Sequence, residues 1–232
     1  MAGQVYASTT AIAGPGGYRR VDQSEPALAT NAFLALSGCS PVRNGDIAVV
    51  GMNSVSGEEM VVLLDEEGRS IGTAPKSEVH HHSTPLHLAF SCYLFDDAER
   101  VLLTRRALGK RTFPGVWTNS FCGHPAPDES VADAVVRRAR QELGVGIAEL
   151  RCVLPKFRYH AVGSDGVVEN EVCPVFCGRA VGTVDADPTE IMAFAWVPWG
   201  ELRTAASLGW AISPWAAEQV PLLDAARFGR GN

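Results

Sequence analysis

The stretch Ser130–Gly144 constrains the fold more than any other, because it fits one kind of element and its surroundings fit another. Ser130 is placed to cap a helix, and Asp133 stands three residues on, in the capping-box position. Gly144 supplies the left-handed stop. Between them Ala132, Val135, Ala139 and Leu143 recur at helical spacing and make one apolar face. On either side the pattern changes to short apolar runs suited to strands. These are Met60–Leu64, followed by a turn at Glu66–Gly68; Leu86–Phe95, with Arg100–Leu103 as hairpin partner across Asp96–Glu99; and Val116–Phe121. Arg151–His160 and Val167–Cys177 read as a long antiparallel pair around Gly163–Gly166, and Phe194–Val197 as a further strand. Helices are expected at Trp199–Ser207 and at Pro214–Phe228, which has Pro214 at its start. This order has no regular βαβ alternation and no repeats, so it predicts an α/β (α+β) sandwich with a mixed sheet.

Residues 1–57 differ from the rest. They are rich in Ala, Gly, Ser and Thr, carry Gly-Pro-Gly-Gly at 14–17, and show no sustained period. They read as a poorly ordered N-terminal extension with a short strand at Ile47–Met52, leaving 58–232 as the folded domain. With 46% hydrophobic residues in 232, such a domain needs no disulfide staples. The six cysteines include no CxxC pair, which excludes a zinc ribbon or a thioredoxin-like motif. Met1–Ser8 carries no basic side chain, and no run approaches the ~20 apolar residues of a membrane span. A cytoplasmic protein with reduced thiols, no membrane partner and a monomeric state is expected. The net charge of −6 argues against a nucleic-acid partner.

Some residues carry chemistry. In a strand, Glu169 and Glu171 point the same way. Paired acids on a buried face are relieved by a metal ion or a shared proton; on an edge strand they simply face solvent. Cys122-Gly123-His124, if extended, puts the thiol and the imidazole on one face, with Gly123 allowing close approach on the other. His80, His81, His82 and His87 lie upstream. Histidines with two glutamates make a nitrogen and oxygen site suited to Zn²⁺ or Mn²⁺. Each piece also has a plainer reading: a core histidine, a solvated His tract, a buried inert thiol.

Gly123, Glu129 after five residues, Arg137 after seven more, then Glu142, Gly144 and Val145 resemble the Nudix box. Arg138 and Gln141 stand where Nudix hydrolases carry glutamate. Hydrolysis of a diphosphate needs clustered carboxylates to hold Mg²⁺ and activate water. Replacing one of them by a cation suits holding a diphosphate better than cleaving it. Pairing of Arg138 with Glu142 one helical turn away is the structural alternative.

Further motifs are Leu86–Phe90, Thr104–Ala107, Pro114–Ser120, Cys122–Pro125, Phe157–Tyr159, Val168–Val175 and Ser213–Trp215. Together, in this order, they resemble type I isopentenyl-diphosphate isomerase, from about Met60 to about Val220. The resemblance implies a Nudix-type α/β/α sandwich that interconverts isopentenyl and dimethylallyl diphosphate. It implies Cys122 and Glu171 as acid and base, with Tyr159 and Trp215 as active-site aromatics. It also implies His80, His87, His124, Glu169 and Glu171 around one divalent ion (Mn²⁺, Zn²⁺ or Mg²⁺), and Glu142 at a Mg²⁺ that accompanies the substrate diphosphate. Lys76, Arg106, Lys110 and Arg138 would bind that diphosphate. His81 and His82 crowd His80, so any of the three can be the ligand at this stage. The rivals are a Nudix pyrophosphohydrolase and a non-catalytic metal-binding module.

Overall fold

The structure, a computed structural model, describes residues 58–209 and 211–228. The expected extension over 1–57, with its strand at Ile47–Met52, lies outside the described residues. In chain order the elements are β1 (Met60–Leu64), β2 (Ser70–Pro75), α1 (Lys76–Val79), β3 (His87–Leu88), β4 (Phe90–Phe95), β5 (Arg100–Arg106), β6 (Trp117–Thr118) and β7 (Phe121–Gly123). They continue with α2 (Val131–Leu143), β8 (Gly146–Leu154), β9 (Arg158–Val162), β10 (Val168–Val172), β11 (Val175–Val181), β12 (Ile191–Pro198), α3 (Trp199–Leu208) and α4 (Pro214–Phe228).

The strands form two sheets. One runs β2-β1-β3-β10-β9; the other runs β12-β5-β4-β11-β8, with β6 beside β5 and β7 beside β4. Every residue of β4 is buried. Phe90, Cys92 and Leu94 pack with Ala134, Val135, Ala139 and Leu143 of α2. Tyr93 and Phe95 pack the other way, with Leu202 of α3 and Trp215, Val220 and Leu223 of α4. A strand covered on both faces reads as a continuous apolar run, because neither face is left for water. This sheet is mixed, with β4–β11 parallel and β8–β11 antiparallel, and helices cover both faces. The α/β/α sandwich follows.

Four expected strands are each divided between or within sheets. The run Leu86–Phe95 breaks at Ala89, whose N–H is bonded to the Val172 carbonyl, so that β3 and β4 lie in different sheets. The long hairpin divides in the same way: β9–β10 belongs to the first sheet and β8–β11 to the second, with the step at Cys173–Pro174. The expected strand Val116–Phe121 is two short ones, β6 and β7. Hydrophobicity does not register the step at Ala89, because the run is buried on both sides of it.

The helix α2 is capped as expected by Ser130, whose Oγ accepts from the Asp133 N–H at 3.1 Å, and it ends at Gly144 with φ 67°. The acid behaves differently from a capping-box residue. The Asp133 carboxylate takes the Ser130 hydroxyl at 2.6 Å instead of reaching back to the backbone. Strand β2 was not expected: its first four residues are exposed, and it is held by pairing to β1. Among the described residues no helix is long and apolar enough to cross a membrane.

Candidate active site

The site is assembled across the two sheets. β10 presents Glu169 and Glu171 on one face, and Glu171 lies beside His87 of β3 in parallel register and beside Tyr159 of β9. Cys122 belongs to β7 of the other sheet, opposite Ser91 of β4, and His124 follows directly. The glycine between them is needed for space. A Cβ on Gly123 would stand 2.9 Å from Phe90 Cζ and 3.0 Å from Arg138 Cγ. His80 follows the short α1.

Three imidazoles converge, with His80–His87, His80–His124 and His87–His124 centroids 5.1, 5.5 and 5.1 Å apart. One donor atom from each of His80, His87, His124 and Glu171 lies within 4.8 Å of all the others. Glu169 Oε2 is 3.1 Å from His80 Nε2, but the two atoms are not aligned for a hydrogen bond. Glu171 Oε1 is 3.5 Å from His87 Nε2 and 3.4 Å from His124 Nε2, too long for good hydrogen bonds. Both nitrogens of His124, Nε2 of His80 and His87, and Oε2 of Glu169 and Glu171 are buried without a hydrogen-bond partner among the described residues. Leaving such atoms unsatisfied is costly. His87 Nδ1 is 2.9 Å from the Pro85 carbonyl, which accepts its proton and leaves the Nε2 lone pair facing the cluster. Donors on one ion at ~2.1 Å are at most ~4.2 Å apart, so these residues fit a divalent ion with small adjustments. His81 and His82 are excluded from the cluster: both are exposed, His81 Nδ1 accepts from the Ser83 N–H, and His82 Nδ1 contacts the Gly166 carbonyl.

Charge states follow from burial. Burial drives His124 down to about 3, so it is neutral. Burial would raise Glu171, yet the imidazoles of His124 and His87 hold it well below the usual carboxylate range. His87 is raised, because Glu171 more than offsets its burial. Burial, aided by the Glu171 charge, pushes the Cys122 thiol up to about 12. Tyr159 is also pushed up, by burial and then by Glu171.

A cavity of about 450 Å³ opens on this cluster. Of the expected site residues, His80, Cys122, His124, Tyr159, Glu169, Glu171 and Trp215 line it, as do the cations Lys76, Arg106, Lys110 and Arg138. His87 and Glu142 do not reach its surface. Trp215 stands against Tyr159 at 5.6 Å and the edge of Phe113 at 5.2 Å, with the Arg106 guanidinium 5.7 Å from its ring centre. Arg106 is further fixed by Thr112, donating to its carbonyl and hydroxyl.

The other cations carry carboxylates that sequence reading missed. Lys76 Nζ is 2.5 Å from Glu59, and Lys110 pairs with Glu190. Arg138 is buried, not on an exposed helix face, and it contacts Glu142 at 2.6 Å, Glu190 at 3.1 Å and Glu59 at 3.3 Å. Burial would raise Glu190, but Lys110 and Arg138 hold it down at about 2. Neither Glu59 nor Glu190 lies in a motif, so no sequence signal marks them. Asn119 was read only as part of a motif. It is fully buried and bonds both Cys122 and Trp215. In the Nudix-box segment, Arg137 grips Glu129 through two bonds of 2.7 Å and also reaches the His124 carbonyl at 3.2 Å.

Comparison with known proteins matches this architecture. The NUDIX domain model matches residues 85–219. A solved structure of DR0079 from Deinococcus radiodurans shares the fold, with TM-score 0.55 and 20% identity over 70% of this chain and 98% of that one. An isopentenyl-diphosphate Delta-isomerase of Frankia alni is 56% identical, over 72% of this chain and 87% of its own length. One from Clavibacter michiganensis subsp. michiganensis is 57% identical, over 71% and 86%. The isopentenyl-diphosphate Delta-isomerase of Mycolicibacterium vanbaalenii is 74% identical over 171 residues, 74% of this chain and 94% of the other. Identical at 74% of 171 aligned residues to a protein that it covers almost end to end, the chain belongs to the isopentenyl-diphosphate Delta-isomerase family, built on a Nudix domain.

Proposed function

We infer that the protein interconverts isopentenyl and dimethylallyl diphosphate by passing one proton on and one off a five-carbon chain, in isoprenoid precursor synthesis. The observation that supports this most directly is a thiol and a carboxylate on the wall of one cavity, Cys122 and Glu171, each carried by a different sheet. An unactivated alkene accepts a proton only from a positioned acid, and the product is a tertiary carbocation that must be stabilised. Glu171, with Tyr159 beside it, delivers the proton to the terminal carbon. The sulfur of Cys122 removes a proton from C2. The Trp215 face stabilises the cation, an interaction worth ~2 kcal/mol or more when desolvated. The buried aromatic wall keeps water from quenching it.

His80, His87, His124, Glu169 and Glu171 would hold a divalent ion; the nitrogen-rich set suits Zn²⁺ or Mn²⁺ over Mg²⁺. When bound, that ion draws charge from Glu171 and makes a proton on the same carboxyl more acidic. By themselves the side chains favour a carboxylate at Glu171 and a thiol at Cys122. That is the starting pair for the dimethylallyl-to-isopentenyl direction, in which Cys122 gives its proton to C2. The opposite direction starts from the opposite pair. Lys76, Arg106, Lys110 and Arg138 would anchor the diphosphate, and Glu142, bonded to Arg138, would help hold an accompanying Mg²⁺.

The test is incubation of purified protein with isopentenyl diphosphate, with and without chelator, following the acid-labile allylic product. Product should form, cease on chelation and be lost in Cys122→Ala. Near-parental turnover by Cys122→Ala refutes the role of the sulfur, and phosphate release without allylic product points to a hydrolase.

A further inference from the structure

We propose that Asn119 is a positioning residue, which holds the Cys122 thiol and the Trp215 indole in fixed relation through one amide oxygen. The side chain is fully buried between β6 and β7. Its Nδ2 donates to the carbonyls of Cys92 at 3.0 Å and Phe121 at 2.7 Å. These acceptors fix the orientation of the amide, since a flipped amide would set its oxygen against two carbonyl oxygens. Oδ1 then accepts from Trp215 Nε1 at 2.9 Å, Thr118 Oγ1 at 2.7 Å and Cys122 Sγ at 3.3 Å. An amide oxygen has no proton to give, so the hydrogen in the last contact belongs to the thiol.

The sulfur is held from its other side by Ser91, whose Oγ lies 3.4 Å away. Ser91 Oγ accepts from Gln219 Nε2 at 2.9 Å, and Gln219 Oε1 accepts from the Tyr93 hydroxyl at 2.8 Å. Ser91, Tyr93, Asn119 and Gln219 are all completely buried. A buried network whose members are satisfied is rigid and specifies one arrangement. It ties β4, β7 and α4 together directly beneath the cavity wall. Cys122 and Trp215 therefore share an acceptor, and a change at one is felt at the other.

This inference rests on the roles given above to Cys122 and Trp215, and one arm of its test does not need them. In nuclear magnetic resonance, the Trp215 indole proton of Cys122→Ala should move downfield of its parental position, because a rival donor to Oδ1 has gone. Thr118→Val should move it the same way. An unmoved resonance in both overturns the shared acceptor, whereas failure of the role given to Cys122 alone would appear as an active Cys122→Ala.

The second arm is kinetic, with metal-replete protein. Asn119→Asp and Asn119→Ala should lower kcat about 100-fold, the effect of a misplacement of about an ångström. KM should stay unchanged, and alkylation of Cys122 by iodoacetamide should change in rate. Ser120→Ala is the control: it removes an equally buried hydroxyl, bonded to the Leu94 N–H and Leu102 carbonyl, and should keep kcat. A folded Asn119 variant with parental kcat, or a loss carried by KM, overturns the proposal. If neither variant folds, the indole shift decides.

Discussion

Along the histidine wall of the site, six buried polar atoms have no hydrogen-bond partner among the described residues, whereas along the cationic wall Lys76, Lys110 and Arg138 are each met by a carboxylate. Both walls contain charge in a partly dry setting, and they manage it in opposite ways. The histidine wall accepts the expense of unpaired lone pairs, which a bound cation relieves. The cationic wall is neutralised from within, so a diphosphate bound there as proposed would exchange one anionic partner for another. The first wall is preorganised for an addition and the second for an exchange.

The largest expected effect breaks the first wall. Glu171→Ala should abolish turnover and metal retention together, measured by product formation and metal content. Exposed Glu66→Ala, which loses only its pairing with Arg158, should leave both intact.

Next comes stability. Adding the cognate ion at 100 times its Kd should stabilise the fold by ~2.7 kcal/mol, seen as a rise in Tm, because relief of the lone pairs exists only in the folded state. His87→Ala, removing a completely buried ligand, should erase most of that rise.

Glu190→Gln sharpens the contrast on the other wall. Freed from one carboxylate, Lys110 and Arg138 should bind diphosphate more tightly, lowering KM about two- to fivefold, the range of an ion pair worth up to ~1 kcal/mol. The same residue predicts a pH effect. Its folded pKa of about 2 lies below the 4.5 of an ordinary glutamate. Its contribution to stability is therefore complete above 4.5 and lost as pH falls toward 2. Denaturant unfolding at pH 3 and pH 6 should show that loss in the parent and a smaller one in Glu190→Gln. The smallest effect lies outside both walls: Ser130→Ala should cost ~1 kcal/mol of stability through the lost cap, with kcat unchanged.

Much of this was legible in the amino-acid sequence where local rules decide. Ser130 and Gly144 bound α2 because cap chemistry is set within a few residues. Glu169 and Glu171 share a face because strand side chains alternate. What escaped depends on partners far along the chain. The break at Ala89 answers to Val172, and both halves of that run stay buried, so no change of polarity marks it. β2 lacks an apolar pattern and exists through its pairing with β1. Glu59 and Glu190 flank regular elements in polar surroundings, and only tertiary contact with Arg138 reveals them. Among His80, His81 and His82 the sequence offered no distinction. The geometry chooses the one that is buried beside Glu169.

The steps at Ala89 and at Cys173–Pro174 have a mechanical outcome. Glu171 and Tyr159 ride on one sheet and Cys122 on the other, so the gap between the two groups proposed to move protons is set at a joint, like the jaws of a vice. Substitutions in the core that shift one sheet by a fraction of an ångström would alter that gap while leaving every reacting group chemically intact.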